Sequence, residues 1–128
     1  MLLYMGSGPA LKAYRRAERV RGLNECAVAC GAASRRFAET LRTASDGPTR
    51  GELVAGLKAA RDCLDVCSMA ATLIGRGGEL SELAWAPCAE ACRRCAEACD
   101  ALSPLDTAAE CADHCRRAEE ICRRAADL

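Results

Sequence analysis

Small apolar and sulfur-bearing residues recur along this chain at steps of three and four positions, with charged residues between them. Such steps place side chains on one face of an α-helix, so the pattern predicts amphipathic helices. No stretch of the sequence alternates between apolar and polar residues as a β-strand would. The pattern predicts four helices, at about 10–43, 50–74, 81–102 and 106–127.

Turn-forming residues separate these segments. Ser45-Asp46-Gly47-Pro48 follows the first helix, a glycine-rich stretch at 75–78 ends the second, and Ser103-Pro104 precedes the fourth. Pro87 lies within the third segment and predicts either a short leading turn with a kink or a restart of the helix. Because short loops join long helices, we expect an all-α fold, an antiparallel up-down-up-down four-helix bundle. At 128 residues the chain is expected to form a single domain over 1–128.

Cysteine occupies the helix face that an ordinary bundle would fill with leucine. The densest run is C-x3-C-x2-C-x3-C at 88–99, and each of the other three helices carries a C-x3-C pair in the same frame. The eleven cysteines are Cys26, Cys30, Cys63, Cys67, Cys88, Cys92, Cys95, Cys99, Cys111, Cys115 and Cys122. On antiparallel helices that rise about 1.5 Å per residue, they are expected to form one column roughly 20 Å long.

Counting residues outward from the loops predicts the order of the thiols along this column. One end is expected to hold Cys26, Cys67, Cys88 and Cys122, and the middle to hold Cys30, Cys63, Cys92 and Cys115. Cys95, Cys99 and Cys111 are expected toward the end formed by the first and third loops. We expect metal to enter at this last end, because its cysteines lie closest to a loop.

Charge and composition exclude several classes of function. Lys and Arg number 18, as do Asp and Glu, so there is no electrostatic signal for binding nucleic acid or an anionic membrane. No segment reaches the roughly 18 apolar residues of a membrane span, and the first residues lack the features of a signal peptide. We therefore expect a cytoplasmic protein whose cysteines are thiols or metal thiolates rather than disulfides.

Many thiolates with few other donors select soft metals, namely Cu(I), zinc or an iron–sulfur cluster. Cu(I) needs two or three sulfurs and one thiolate can bridge two ions, so eleven cysteines would hold roughly eleven ions. Zinc prefers closed sets of four ligands, usually supplied by turns, and paired cysteines on helices offer only two sulfurs at a time. An iron–sulfur cluster would use four of the cysteines and leave the others without a role. The spacing therefore favours storage of several Cu(I) ions.

Other interpretations of the cysteines stay open. Cys92 and Cys95 have the C-x-x-C spacing of thiol–disulfide redox proteins. A metal sensor, or a structural zinc or iron–sulfur module, would use few of the thiols, and buried cysteine is also an ordinary core residue. No catalytic residues or organic cofactor site are identified, and we expect no enzyme, because a catalytic triad would need the single histidine, His114.

The sequence also predicts the position of three further side chains. His114 is a further candidate metal ligand because it adjoins Cys115, although it stands one position off the inward-facing frame and otherwise reads as a partly exposed polar residue. Met69 is expected to pack in the core, with a place at the metal entrance as the alternative. Trp85 is expected to anchor the loop before it to the bundle.

The cysteine pattern resembles that of the four-helix-bundle copper storage proteins. The resemblance rests on the run at 88–99, the three C-x3-C pairs and Cys122, and it extends over about residues 20–125. It implies a core that binds many Cu(I) ions, a homotetramer and, for members without a signal sequence, a cytosolic location. Five frame positions where cysteine could stand hold other residues, which implies a lower capacity and a partly apolar end: Ala33, Phe37, Ala70, Ile74 and Ala118.

Overall fold

The structure, a computed structural model, describes residues 8–43 and 47–126. It contains the helices α1 (Pro9–Arg42), α2 (Arg50–Arg76), α3 (Ser81–Asp100) and α4 (Asp106–Ala126). Within the described ranges there is no strand, and the all-α prediction is confirmed. Ser45 and Asp46 of the predicted first turn, and residue 127 of the predicted fourth helix, lie outside the described residues.

Local signals explain where α2 begins and ends. The Thr49 hydroxyl accepts a hydrogen bond from the backbone N–H of Glu52, and the Glu52 carboxylate accepts one from the N–H of Thr49, which forms a capping box. Gly77 ends the helix in the left-handed conformation, with a φ of 66° that glycine adopts without steric cost. This cap lies beyond the predicted end, so α2 continues past 74 to Arg76.

Pro87 does not interrupt α3, which runs as one element from Ser81 to Asp100. Proline has no N–H to donate to the carbonyl of Leu83, four residues earlier. Leu83 is 70% exposed, so water can replace the missing donor at low cost. The prediction of a separate leading turn or a restart is therefore wrong.

The helices form a four-membered ring in which α1 contacts α2 and α4, and α3 contacts the same two helices. Neighbours are antiparallel, because residue numbers rise along one helix as they fall along the next. The contacting pairs are Phe37–Gly56 and Val20–Gly75 for α1 and α2, Cys63–Cys92 and Cys67–Cys88 for α2 and α3, Cys88–Cys122 and Cys95–Cys111 for α3 and α4, and Cys26–Cys115 and Cys30–Cys111 for α1 and α4. The predicted four-helix bundle is confirmed.

The core consists of sulfur and small side chains, with larger residues at its two ends. At the end near the first and third loops, Phe37 and Leu102 are fully buried. Gly56 permits their close packing, since a Cβ there would lie 2.5 Å from Leu102 Cδ1 and 3.1 Å from Phe37 Cε2. At the opposite end Trp85 is buried within α3, with the Arg19 guanidinium carbon 5.7 Å from its ring centroid.

No helix in the described part of the chain combines the length and the apolar character that crossing a bilayer requires.

Candidate metal site

All eleven cysteines point into the bundle, and each has a relative exposure of 0%. None is in a disulfide. The helical frame explains this arrangement, because the steps of three and four along each helix keep every sulfur on the face turned toward the other helices. The predicted column of inward-facing thiols is what the fold contains.

Eight of the sulfurs form three overlapping groups of four. Within each group all four Sγ atoms lie within 4.8 Å of one another. The groups are Cys26, Cys30, Cys63 and Cys115; Cys26, Cys63, Cys67 and Cys92; and Cys30, Cys95, Cys111 and Cys115. Each group draws its sulfurs from three helices, so the bundle must be assembled before the sites exist.

The remaining three thiols extend the column at both ends. Cys88 Sγ lies 3.6 Å from Cys67 Sγ, and Cys88 and Cys122 are near enough to shift each other's pKa. At the other end Cys95 and Cys111 are near enough to raise the pKa of Cys99. The nine cysteines other than Cys99 and Cys122 each have a sulfur neighbour within 4.0 Å, and these two thiols extend the column beyond them.

The order of the thiols differs from the prediction at Cys26. It was expected at one end with Cys67, Cys88 and Cys122, and its sulfur is indeed within 4.8 Å of Cys67. The same sulfur also lies 3.7 Å from Cys115 and 3.9 Å from Cys63, two thiols expected in the middle of the column. Helix tilt and side-chain direction shift a height counted from loop positions by about one helical turn.

The geometric reason for expecting little zinc binding is wrong. A tetrahedral ion with zinc–sulfur bonds of about 2.3 Å needs sulfurs about 3.8 Å apart. In the group of Cys30, Cys95, Cys111 and Cys115, five of the six pairwise Sγ distances are 3.6 to 3.9 Å, and the sixth is within 4.8 Å. Single helices offer two sulfurs, as expected, but three helices together offer four.

Hydrogen bonding between sulfurs shifts the pKa values of paired thiols in opposite directions. The pKa of Cys111 is lowered to about 5, first by its hydrogen bond with Cys115, while the same contact first raises the pKa of Cys115. Cys122 likewise lowers the pKa of Cys88, and Cys88 together with burial raises the pKa of Cys122. The first proton of each pair therefore leaves more readily than the second.

His114 lies apart from the sulfur groups, on the outer side of α4. It is partly exposed, lines a groove together with Val28 and Arg21 of α1, and its Nδ1 lies 3.2 Å from an Arg117 guanidinium N–H that can donate to it. Among the described residues, the groups of three or more His, Cys, Asp or Glu side chains that could together hold a metal ion consist of cysteines alone.

Met69 is 50% exposed, so the prediction that it packs in the core is wrong. It stands two positions beyond Cys67, and two residues turn a helix by about 200°, to the outer face. The end of the column near Cys99 is covered by the fully buried Phe37 and Leu102, so the expected metal entrance there is closed in this structure.

The column has the chemistry of a metal store rather than of a catalytic centre. It offers soft thiol donors, excludes water and places neighbouring sulfurs at distances that an ion can bridge. The carboxylates nearest in sequence point outward, and Glu90 and Glu97 bind Arg93 on the surface of α3.

Comparison with known protein families agrees with this geometry. The sequence profile of the copper storage protein family matches residues 12–127, which include all of the four helices except the first three residues of α1. Comparisons with curated proteins and with solved structures gave no match. The match extends over nearly the whole chain and includes every cysteine of the buried column, and the chain therefore belongs to the copper storage protein family.

Proposed function

We propose that the protein stores several copper ions as Cu(I), bound by the eleven buried cysteines in clusters of bridging thiolates. The observation that carries the proposal is the column of free, fully buried sulfurs, nine of which have a sulfur neighbour 3.6 to 4.0 Å away. A Cu(I) ion needs only two or three of these sulfurs, and each sulfur can serve two ions. The capacity then approaches about one ion per cysteine.

The proposed ligands are Cys26, Cys30, Cys63, Cys67, Cys88, Cys92, Cys95, Cys99, Cys111, Cys115 and Cys122. His114 is not included, because its Nδ1 faces an arginine and its ring lies on an outer groove. Copper enters as cargo, and no step of storage requires a catalytic residue, so we propose a protein without enzymatic activity.

We further propose that the chain works as one domain in the cytoplasm and assembles into a homotetramer. The location is supported by the presence of free thiols throughout the core, which a reducing compartment preserves. The tetramer is supported by the family to which the chain belongs, and light scattering of the purified protein measures it directly.

A Cu(I) titration tests the storage proposal. The reduced protein is mixed with increasing Cu(I) in the presence of a chromogenic Cu(I) chelator, and thiols are counted before and after. Storage predicts roughly eleven ions withheld from the chelator, together with a rise in the midpoint of thermal unfolding, because metal binds the folded core and not the open chain. Retention of only one or two ions would contradict storage and indicate a sensor or a structural metal module.

A further inference from the structure

A basic pocket lies at the end of the bundle opposite Phe37 and Leu102. Its volume is about 360 Å³, and it is lined by the first half of α1, the end of α2, the start of α3 and the end of α4. Its cationic lining residues are Lys12, Arg15, Arg16 and Arg19, all from α1. No part of the proposed storage chemistry uses these residues.

The positive charge of this pocket is only partly neutralised by its surroundings. Within residues 8–43 and 47–126, the ion pairs form elsewhere, and none includes the four cations. Glu82 is the acidic residue of the lining, and it shares the first turn of α3 with Ser81, where the helix dipole adds partial positive charge. The pocket therefore has a net positive charge and suits an anion.

Glycine at position 77 allows one of these cations to approach the backbone. A Cβ at this position would lie 3.1 Å from the guanidinium carbon of Arg16. The Arg16 side chain therefore lies against the turn that ends α2, at the pocket wall.

The pocket lies close to the outermost thiols. Trp85 and Ala125 line it, and they stand three positions from Cys88 and Cys122 in their helices. Three residues, about 4.5 Å along the helix axis, therefore separate the pocket lining from the end of the thiol column. Trp85 is 3% exposed, so a thin apolar layer separates the basic pocket from sulfur.

We propose that this pocket receives small anionic thiolate complexes of Cu(I) and passes the ion to Cys88 and Cys122. A Cu(I) ion bound by two thiolates is an anion even before carboxylates on the carrier are counted. Electrostatic attraction in a basic cleft raises association rates by about 10- to 1000-fold. The inference rests on the storage function proposed above. It adds that copper reaches the protein as an anionic thiolate complex of Cu(I).

The transfer is a ligand exchange without a redox step. A bond between copper and a carrier sulfur breaks, and a bond between copper and the Sγ of Cys88 or Cys122 forms. The proton of that cysteine passes to the released carrier thiolate, and copper stays in the +1 state. Arg19 lines the pocket and lies over the Trp85 ring. The Trp85 side chain must move for the ion to pass.

Two arginine pairs on α1 provide a matched test. Arg15→Gln/Arg16→Gln removes two charges from the pocket, and Arg35→Gln/Arg36→Gln removes two exposed charges from the other half of the same helix. The initial rate of loading is followed at low salt by separating protein from carrier on short desalting columns and measuring the protein-bound copper. The donors are Cu(I) complexed with 3-mercaptopropionate, which is anionic, and with cysteamine, which is cationic.

We expect the pocket variant to load at least threefold more slowly than wild type from the mercaptopropionate complex, and no more slowly from the cysteamine complex. The variant at 35 and 36 should match wild type with both donors. Equal slowing in the two variants would overturn the pocket as the receiving site. An equilibrium capacity of one or two ions in wild type would instead contradict the storage function, so the two failures are distinguishable.

Trp85 offers an independent measurement because it is the single tryptophan of the chain. Copper that arrives first at Cys88 and Cys122 should change the tryptophan emission in the earliest phase of loading. An emission change that begins only after most of the copper has bound to the protein would overturn the proposed route.

Discussion

The Sγ atoms of Cys30 and Cys111 lie 3.6 Å apart, although 81 positions separate the two residues in the chain. The antiparallel packing of α1 and α4 produces this contact. A disulfide would need about 2.05 Å between the sulfurs, so the two remain thiols at a separation that one ion can bridge. Contacts of this kind convert cysteines spread over four helices into one site.

Two double variants of α3 separate the four-sulfur groups from the ends of the column. Cys92→Ala/Cys95→Ala removes one member from each of two groups, whereas Cys88→Ala/Cys99→Ala removes two thiols outside all three groups. We expect the first variant to lose more of the most tightly held copper in chelator competition, although both lose two sulfurs. Circular dichroism should show retained helix in both, because alanine is a strong helix former. Equal losses would show that copper affinity is independent of these groups.

Removing all four cysteines of α3 tests the column as a whole. The variant Cys88→Ala/Cys92→Ala/Cys95→Ala/Cys99→Ala should lose over a third of the copper capacity, four of the eleven sulfurs being gone, while keeping its helix content. An unchanged stoichiometry in the titration would show that copper binds elsewhere.

We expect the protein to bind few zinc ions and to release them when Cu(I) is added. Two of the four-sulfur groups share no member, the one with Cys67 and Cys92 and the one with Cys95 and Cys111, so two tetrahedral ions can be held at once. We expect no more than two equivalents of zinc by equilibrium dialysis, and their release when Cu(I) is added. Tight zinc binding that Cu(I) cannot displace would replace storage with a structural zinc role.

Copper retention should weaken as the pH falls. The pKa of Cys115 is raised above its ordinary value of 9.0, first by Cys111, so at neutral pH copper must displace its proton. Cys111, with a pKa lowered to about 5, has little proton to lose above that pH. Each proton displaced per ion lowers the apparent affinity about tenfold per pH unit of acidification. Chelator competition between pH 8 and pH 5 measures this slope, and a pH-independent affinity would contradict binding through these thiols.

Gly56 should be intolerant of a side chain although it lies within a helix. Alanine is the better helix former by about 1 kcal/mol, but a Cβ here would press on Leu102 and Phe37, which are both fully buried. Overpacking costs about 1 to 3 kcal/mol, so Gly56→Ala should lower the free energy of unfolding of the metal-free protein by about 1 kcal/mol.

The matched control for this change is Gly31→Ala in α1. A Cβ at position 31 would meet only the Arg35 guanidinium within the described residues, at 3.6 Å. This variant should gain stability through helix propensity. Denaturant unfolding of both variants measures the difference, and a stabilised Gly56→Ala protein would show that the Phe37 end is loosely packed.

The sequence by itself determined the helices and the face on which each cysteine lies. Steps of three and four at 88–99 are a local property, since the helical repeat alone decides which side chains share a face. The capping residue Thr49 and the glycine-rich stretch at 75–78 are equally local. For the same reason burial of all eleven sulfurs followed from the pattern once a bundle was expected.

The tertiary structure decided which sulfurs meet. Cys26 reaches Cys115 because the axial offset between α1 and α4 depends on contacts between distant residues. The fit of Gly56 against Leu102 and Phe37, and the approach of Arg16 to Gly77, join different helices in the same way. The spacing along one helix fixes the direction of its side chains, whereas packing between helices fixes their relative height. The four-sulfur groups, the closed end and the basic pocket all depend on that height.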